Sequence, residues 1–173
     1  MKIRGFNTKD KVLIVAEIGN NHEGSLSLAK KMIKLAKNCG ADAVKFQTIK
    51  PDKLIENHNI GRLNQLKKYQ FTISQFTKLK KYSDSLDIIF LSTPFDTKAV
   101  DDLNPLVPAF KISSGDNDYY DLINKILLKK KPILISTGMT SLKDVSNLLK
   151  FIKKNNKFKS DFYDNLTLLH CVS

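Results

Sequence analysis

The sequence predicts an α/β fold built on a parallel sheet, and three observations carry that prediction. Apolar runs of strand length alternate with amphipathic segments of helix length along the whole chain, the pattern of right-handed βαβ units. The first such run, residues 12–16, is almost wholly apolar, as expected of a strand covered on both faces. Polar groups recur at the C-terminal ends of nearly all the runs, the face on which parallel α/β folds place their chemistry.

Taken in order, strands are predicted over residues 12–16, 43–47, 87–92, 109–113, 132–136 and 166–171. Helices are predicted over 26–38, 73–86, 97–104, 119–129 and 142–153. Ser25 is placed to cap the first helix, Gly40 to close it in a left-handed conformation, and Ser141 to cap the last. Residues 49–70 break the rhythm. This polar stretch exceeds the roughly 2 to 6 residues usual for a βα loop, and it reads as a lid, a substrate loop or an ordered excursion with a short helix. Residues 153–165, rich in lysine and asparagine, read as a surface loop.

At 173 residues with 42% hydrophobic content, the chain is long enough for one domain with a real core. It is too short for a complete eight-fold barrel, which takes roughly 200 residues or more. No apolar stretch reaches the roughly 20 residues that span a bilayer, and Met1-Lys2-Ile3-Arg4 leads into polar residues, so a cytoplasmic protein without membrane partners is expected. Cys39 and Cys171 have no metal-ligand spacing and read as reduced, mostly buried thiols.

The net charge of +12 raises a nucleic-acid partner. Only Arg4 and Arg62 are arginines, however, and lysine lacks the planar fork that grips phosphate or guanine in two places. The lysines, including Lys30, Lys31, Lys34 and Lys37, therefore read as a solvated surface that helps attract anionic substrates. The Lys129–Lys131 run reads as a helix end, where cations favour the dipole.

The strand ends supply a candidate site. They carry Glu17, then Lys45 and Gln47, then Ser92 and Thr93, then Lys111, Ser113 and Ser114, then Ser136 and Thr137, and last His170 and Ser173. In a parallel barrel these ends converge on one mouth, so Glu17, Lys45 and Lys111 are expected to share a pocket. Lys45 and Lys111 interrupt apolar strands, and a buried ammonium is costly unless an anion or a hydrogen-bond network compensates it. A Lys45–Glu17 pair that only holds the fold together is the structural alternative. Hydroxyls followed by glycine, in Ser113-Ser114-Gly115 and Ser136-Thr137-Gly138, suit close approach to a phosphate. Two lysines with three hydroxyl-bearing strand ends describe a pocket for a small, multiply charged anion.

Six blocks in order resemble the sialic acid synthase family: Ala16-Glu17-Ile18-Gly19-Asn20-Asn21-His22-Glu23-Gly24, residues 40–47, Ser92-Thr93-Pro94-Phe95-Asp96, residues 110–115, residues 135–139 and residues 169–173. The resemblance implies a transferase of a TIM-type (β/α)8 barrel that condenses phosphoenolpyruvate with an N-acylated hexose such as N-acetylmannosamine, yielding a nonulosonate and phosphate. It implies a divalent metal, Mn2+ or Mg2+, a homodimer, and an antifreeze-like domain after the barrel. On this resemblance residues 1–173 are the N-terminal three-quarters of the barrel, about six of eight parallel strands, expected to be inactive alone and to self-associate.

Carried over by position, the resemblance makes Glu17 the catalytic carboxylate. It gives Lys45, Thr93 and Lys111 the phosphoenolpyruvate carboxylate, and Ser114, Ser136 and Ser173 its phosphate. Gln47 lies near the substrates, and Asp116 stands where the family commonly has Glu, one methylene longer. The family's metal-ligating histidines fall beyond residue 173, so His22, His58 and His170 are not metal ligands; His22 reads as a loop-ordering residue and His170 as a strand-end residue. Two other readings stay open: a lyase or aldolase using Lys45 or Lys111 as a Schiff base, and a non-catalytic remnant that retains only anion affinity.

Overall fold

The computed structural model describes residues 1–54, 59–156 and 162–172. These form two compact units, one of residues 12–107 and one joining residues 1–11 to residues 108–173.

In the joined unit an antiparallel hairpin, β1 (Lys2–Ile3) and β2 (Phe6–Asn7), turns at Arg4 and Gly5, both left-handed, with φ of 48° and 83°. That geometry suits a two-residue hairpin whose twist matches its strands, and it buries Ile3. No strand is predicted there from the sequence, because two residues per strand show no alternation.

The unit of residues 12–107 is built on β3 (Val15–Gly19), β4 (Ala43–Thr48) and β5 (Ile89–Pro94), parallel in the order β3-β4-β5. Helix α1 (Leu26–Asn38) joins the first pair. The Ser25 hydroxyl accepts from Leu28 N–H at its start, and Gly40, at φ 85°, follows its end, as the sequence predicts. Between β4 and β5 lie α2 (Pro51–Leu54), α3 (Ile60–Tyr69) and α4 (Ile73–Ser85). The stretch 49–70 is thus a helical excursion, with residues 55–58, His58 among them, outside the described residues. Helix α5 (Thr97–Leu103) follows β5, capped by the Asp96 carboxylate on Ala99 N–H at 2.8 Å.

The first strand starts three residues later than predicted. Val12 is 78% exposed and Ile14 is also exposed, and the Ile14 N–H is taken by the Asp42 carboxylate at 2.9 Å before ladder pairing begins at Val15 opposite Ala43. Apolar residues outside the ladder had lengthened the apparent run. Glu17 consequently stands inside β3 and is exposed, and Val15 and Ala16 are only half-buried, so β3 is not covered on both faces. Cys39 is a second correction: it is exposed, because it caps α1, where its backbone N–H bonds Leu35 and its thiol needs no packing.

Alternation along β4 and β5 separates two faces. Val44, Phe46, Phe90 and Ser92 lie on one, with Phe46 and Phe90 rings 5.5 Å apart and both against Phe76 of α4. Lys45, Gln47, Leu91 and Thr93 lie on the other, away from α4.

The joined unit continues with β6 (Phe110–Ile112), β7 (Ile133–Ser136) and β8 (Leu166–Leu169), parallel in the order β6-β7-β8. Helices α6 (Tyr120–Leu127) and α7 (Leu142–Asn155) connect them; Ser141 and Asp144 form a capping box on α7. Lys129–Lys131 follow α6 rather than end it, since Lys130 turns left-handed at φ 55°. Phe110, Ile112, Ile133 and Ile135 make one fully buried face, and Lys111, Leu134 and Ser136 occupy the other. The parallel strands therefore form two three-stranded sheets. None of the described helices is long and apolar enough to cross a membrane.

Candidate active site

On the face of β4 away from α4, the Lys45 ammonium is buried and held by two partners. It pairs with the Glu17 carboxylate at 2.5 Å and donates to Thr93 Oγ1 at 3.0 Å. Register explains the meeting: Glu17 pairs with Lys45 across β3 and β4, and Thr93 lies opposite Gln47, one step along the same face. The register shifts between Glu17 and Gly19, where pairing resumes opposite Phe46, an irregularity of the kind that β-bulges introduce. Asn20, just beyond, donates to Gln47 Oε1 at 2.9 Å. Because Thr93 Oγ1 accepts from Lys45, its own O–H remains to be donated elsewhere, and the ammonium has three protons for two partners. The cluster thus offers an anion a cation and a hydroxyl, with a half-exposed carboxylate at its edge.

The joined unit contains a second cluster of the same kind. Buried Lys111 donates to Ser136 Oγ at 2.6 Å and to the Ile112 carbonyl at 2.8 Å. Cys171 Sγ also contacts Ser136 Oγ, at 3.2 Å. Ser114 begins a single 3-10 turn, Ser114–Asp116, and its hydroxyl accepts from Gly138 N–H at 3.2 Å; Asn117 donates to the Gly138 carbonyl at 3.4 Å. Asp116 has one buried carboxylate oxygen without a hydrogen-bond partner among the described residues. Burial pushes its carboxyl pKa above the usual range and the charge of Asp118 adds to the rise, while the Lys111 cation opposes it. A carboxyl so placed is suited to carry a proton. Ser173 lies outside the described residues, and His170 is exposed after β8.

His22 lies in the loop that follows β3. It is buried, its Nδ1 accepts from Gly24 N–H at 3.1 Å, and its ring stacks on Phe71 with centroids 4.0 Å apart. Burial lowers its pKa from 6.5 to about 4. The folded state therefore favours the neutral ring, while the unfolded chain takes up the proton first as pH falls. The contribution is complete above about pH 6.5 and is lost as pH drops towards about 4, up to roughly 3 kcal/mol. Unfolding measured from pH 7 to pH 4 is expected to show a smaller loss of stability in His22→Phe than in the wild type; equal losses would show that His22 does not titrate with folding.

The sequence singled out neither Asn20 nor Cys171 as a site residue. The signal for Asn20 was its position as the first amide after the strand; Cys171, sharing an oxygen with Lys111, had none. No three His, Cys, Asp or Glu residues stand together in a metal-holding group among the described residues.

Residues 32–173 match the NeuB family. The chain belongs to the NeuB family. It is 36% identical over 177 residues to the N,N'-diacetyllegionaminic acid synthase of Campylobacter jejuni, covering 94% of this chain and 52% of that protein. It is 34% identical over 173 residues to human N-acetylneuraminate-9-phosphate synthase, covering 92% and 46%. Among solved structures it is similar to the N-acetylneuraminic acid synthetase of Leptospira borgpetersenii in complex with citrate, with a TM-score of 0.85, 31% identity, and 94% of this chain and 54% of that one covered. The chain thus spans about half the length of the curated relatives it matches.

Proposed function

We propose that the complete protein condenses phosphoenolpyruvate with an N-acylated hexose to form a sialic acid-type nonulosonate, releasing phosphate. The observation that carries this reading is the repeated pairing of a buried lysine with a strand-end hydroxyl, Lys45 with Thr93 and Lys111 with Ser136, in a chain whose relatives are sialic acid and legionaminic acid synthases. Such pairs suit a substrate that carries both a carboxylate and a phosphate.

On this reading Lys45, Thr93 and Lys111 hold the carboxylate of phosphoenolpyruvate, and Ser114, Ser136 and Ser173 hold its phosphate. Gln47, fixed by Asn20, contacts the sugar. C3 of phosphoenolpyruvate attacks the aldehyde carbon, C2 becomes electron-poor, and water adds there before the C2–O bond to phosphate breaks. Glu17 stabilises the positive charge at C2 or takes the proton of that water. Asp116, with its raised pKa, supplies the second carboxyl for proton transfer. A divalent metal, Mn2+ or Mg2+, would polarise the aldehyde when bound, through ligands other than these residues.

We read residues 1–173 as the N-terminal three-quarters of a (β/α)8 barrel, with β3–β8 as six of its eight parallel strands. The complete protein is then a cytoplasmic homodimer with an antifreeze-like C-terminal domain, and the 173 residues alone carry no condensing activity. A lyase or aldolase using Lys45 or Lys111 as a Schiff base is the alternative; the engagement of Lys45 Nζ by a carboxylate and a hydroxyl supports the anion-anchor reading. A phosphate-release assay on the complete reading frame, over N-acetylmannosamine, its 6-phosphate and diacetamido-dideoxyhexoses, is expected to give turnover with one acceptor class. Borohydride trapping of a pyruvate adduct without phosphate release would replace the proposal with the aldolase.

A further inference from the structure

We propose that His22 is a positioning residue: its ring, stacked on Phe71, latches the helical excursion between β4 and α4 onto the loop after β3. That latch fixes Asn20 beside Gln47 and Gly19 beside Glu17. Its bearing on turnover rests on the condensation reading above; the latch itself rests on geometry.

Two separate contacts join the same two segments. The first is the stack, with His22 and Phe71 rings 4.0 Å apart and only 12° from parallel. Phe71 stands two residues beyond the end of α3 and directly before Thr72, the N-cap of α4. The second is Gly24, left-handed at φ 80°, where a Cβ would come within 2.3 Å of the Lys68 carbonyl oxygen in the last turn of α3. Glycine is required there both for the φ and for the closeness of the two backbones.

His22 ties these contacts together. Its Nδ1 accepts the Gly24 N–H at 3.1 Å, which places the ring hydrogen on Nε2. Nε2 is buried with no hydrogen-bond partner among the described residues, a cost that a purely space-filling residue such as Phe would avoid. The imidazole supplies two things at once, a flat face for Phe71 and an in-plane acceptor for Gly24. Phe would supply the first alone and Asn the second alone.

The loop so held runs directly into the site. Asn20 donates to Gln47 at 2.9 Å, and a Cβ on Gly19 would lie 3.5 Å from Glu17 Oε1 and 3.9 Å from the Gln47 side chain. Successive turns, Asn21 N–H to Ile18, Glu23 N–H to Asn20 and Ser25 N–H to His22, pass the position of one residue to the next. Displacing the ring therefore displaces the amide that orients Gln47.

Amide hydrogen exchange on the 173-residue chain tests this with three variants. In His22→Asn and Phe71→Leu, which remove the stack from opposite sides, amides of residues 60–71 and 19–24 are expected to exchange roughly threefold to tenfold faster. Amides of β4 and β5 should keep their wild-type rates. His22→Phe, which keeps the stack and removes the acceptor, should speed Gly24 while leaving residues 60–71 protected. Unchanged exchange at 60–71 in both stack variants would overturn the latch, as would acceleration spread equally through β4 and β5, the signature of a core residue with no positional role. In the complete protein, His22→Asn should lower kcat/KM at a pH where its melting temperature leaves it folded. If the wild type condenses nothing, the functional reading fails while the exchange pattern still decides the latch.

Discussion

Glu17→Gln in the complete protein should lower phosphate release by roughly a hundredfold or more, the range for removing an acid–base group, while melting within a few degrees of the wild type. The substitution keeps the side chain's length and one oxygen for Lys45, and it removes the charge. Glu17 is half-exposed, so its ion pair with Lys45 contributes modestly to stability and the variant should fold. Turnover is the sensitive quantity, because a neutral amide neither stabilises positive charge at C2 nor takes a proton from water. Stopped assays on wild type and variant, with acceptor and phosphoenolpyruvate saturating, make the comparison. Near-wild-type turnover would reduce Glu17 to a partner for the Lys45 ammonium, the structural alternative that the contact at 2.5 Å also allows.

Much of this arrangement was legible in the sequence, for a physical reason. Parallel pairing brings residues at the same end of successive strands together, so polar groups recurring at strand ends meet even when they are 48 residues apart, as for Lys45 and Thr93, or 25, as for Lys111 and Ser136. Helix ends were legible because their signals are local, with Ser25, Ser141 and Gly40 each acting within a few residues. Partner choice was not, because it depends on register: nothing local says that Asn20 reaches Gln47 or that Cys171 reaches Ser136. The His22 stack depends on Phe71, in another segment altogether. The start of β3 is not legible in the sequence, because Val12 and Ile14 are apolar whether exposed, as they are, or in a ladder.

Neighbouring residues of β4 should respond in opposite ways to substitution. Phe46 is fully buried, with its ring 5.5 Å from Phe90, 5.8 Å from His22 and 6.4 Å from Phe76. Phe46→Ala removes the ring about which these pack and leaves a cavity, at a cost of about 3–5 kcal/mol, expected as a fall in melting temperature of roughly 10 °C or more. Lys45 points to the other face, and Lys45→Met replaces a buried ammonium with an apolar side chain of similar reach. Its partner Glu17 is half-exposed and remains hydrated, so no buried charge is stranded, and stability should hold or rise by about 1 kcal/mol. Anion binding moves the other way: in the complete protein Lys45→Met should raise the KM for phosphoenolpyruvate by roughly tenfold or more, the loss of a charge-assisted contact. A Lys45→Met chain that melts as early as Phe46→Ala would mean that the ammonium holds β3, β4 and β5 together rather than waiting for an anion.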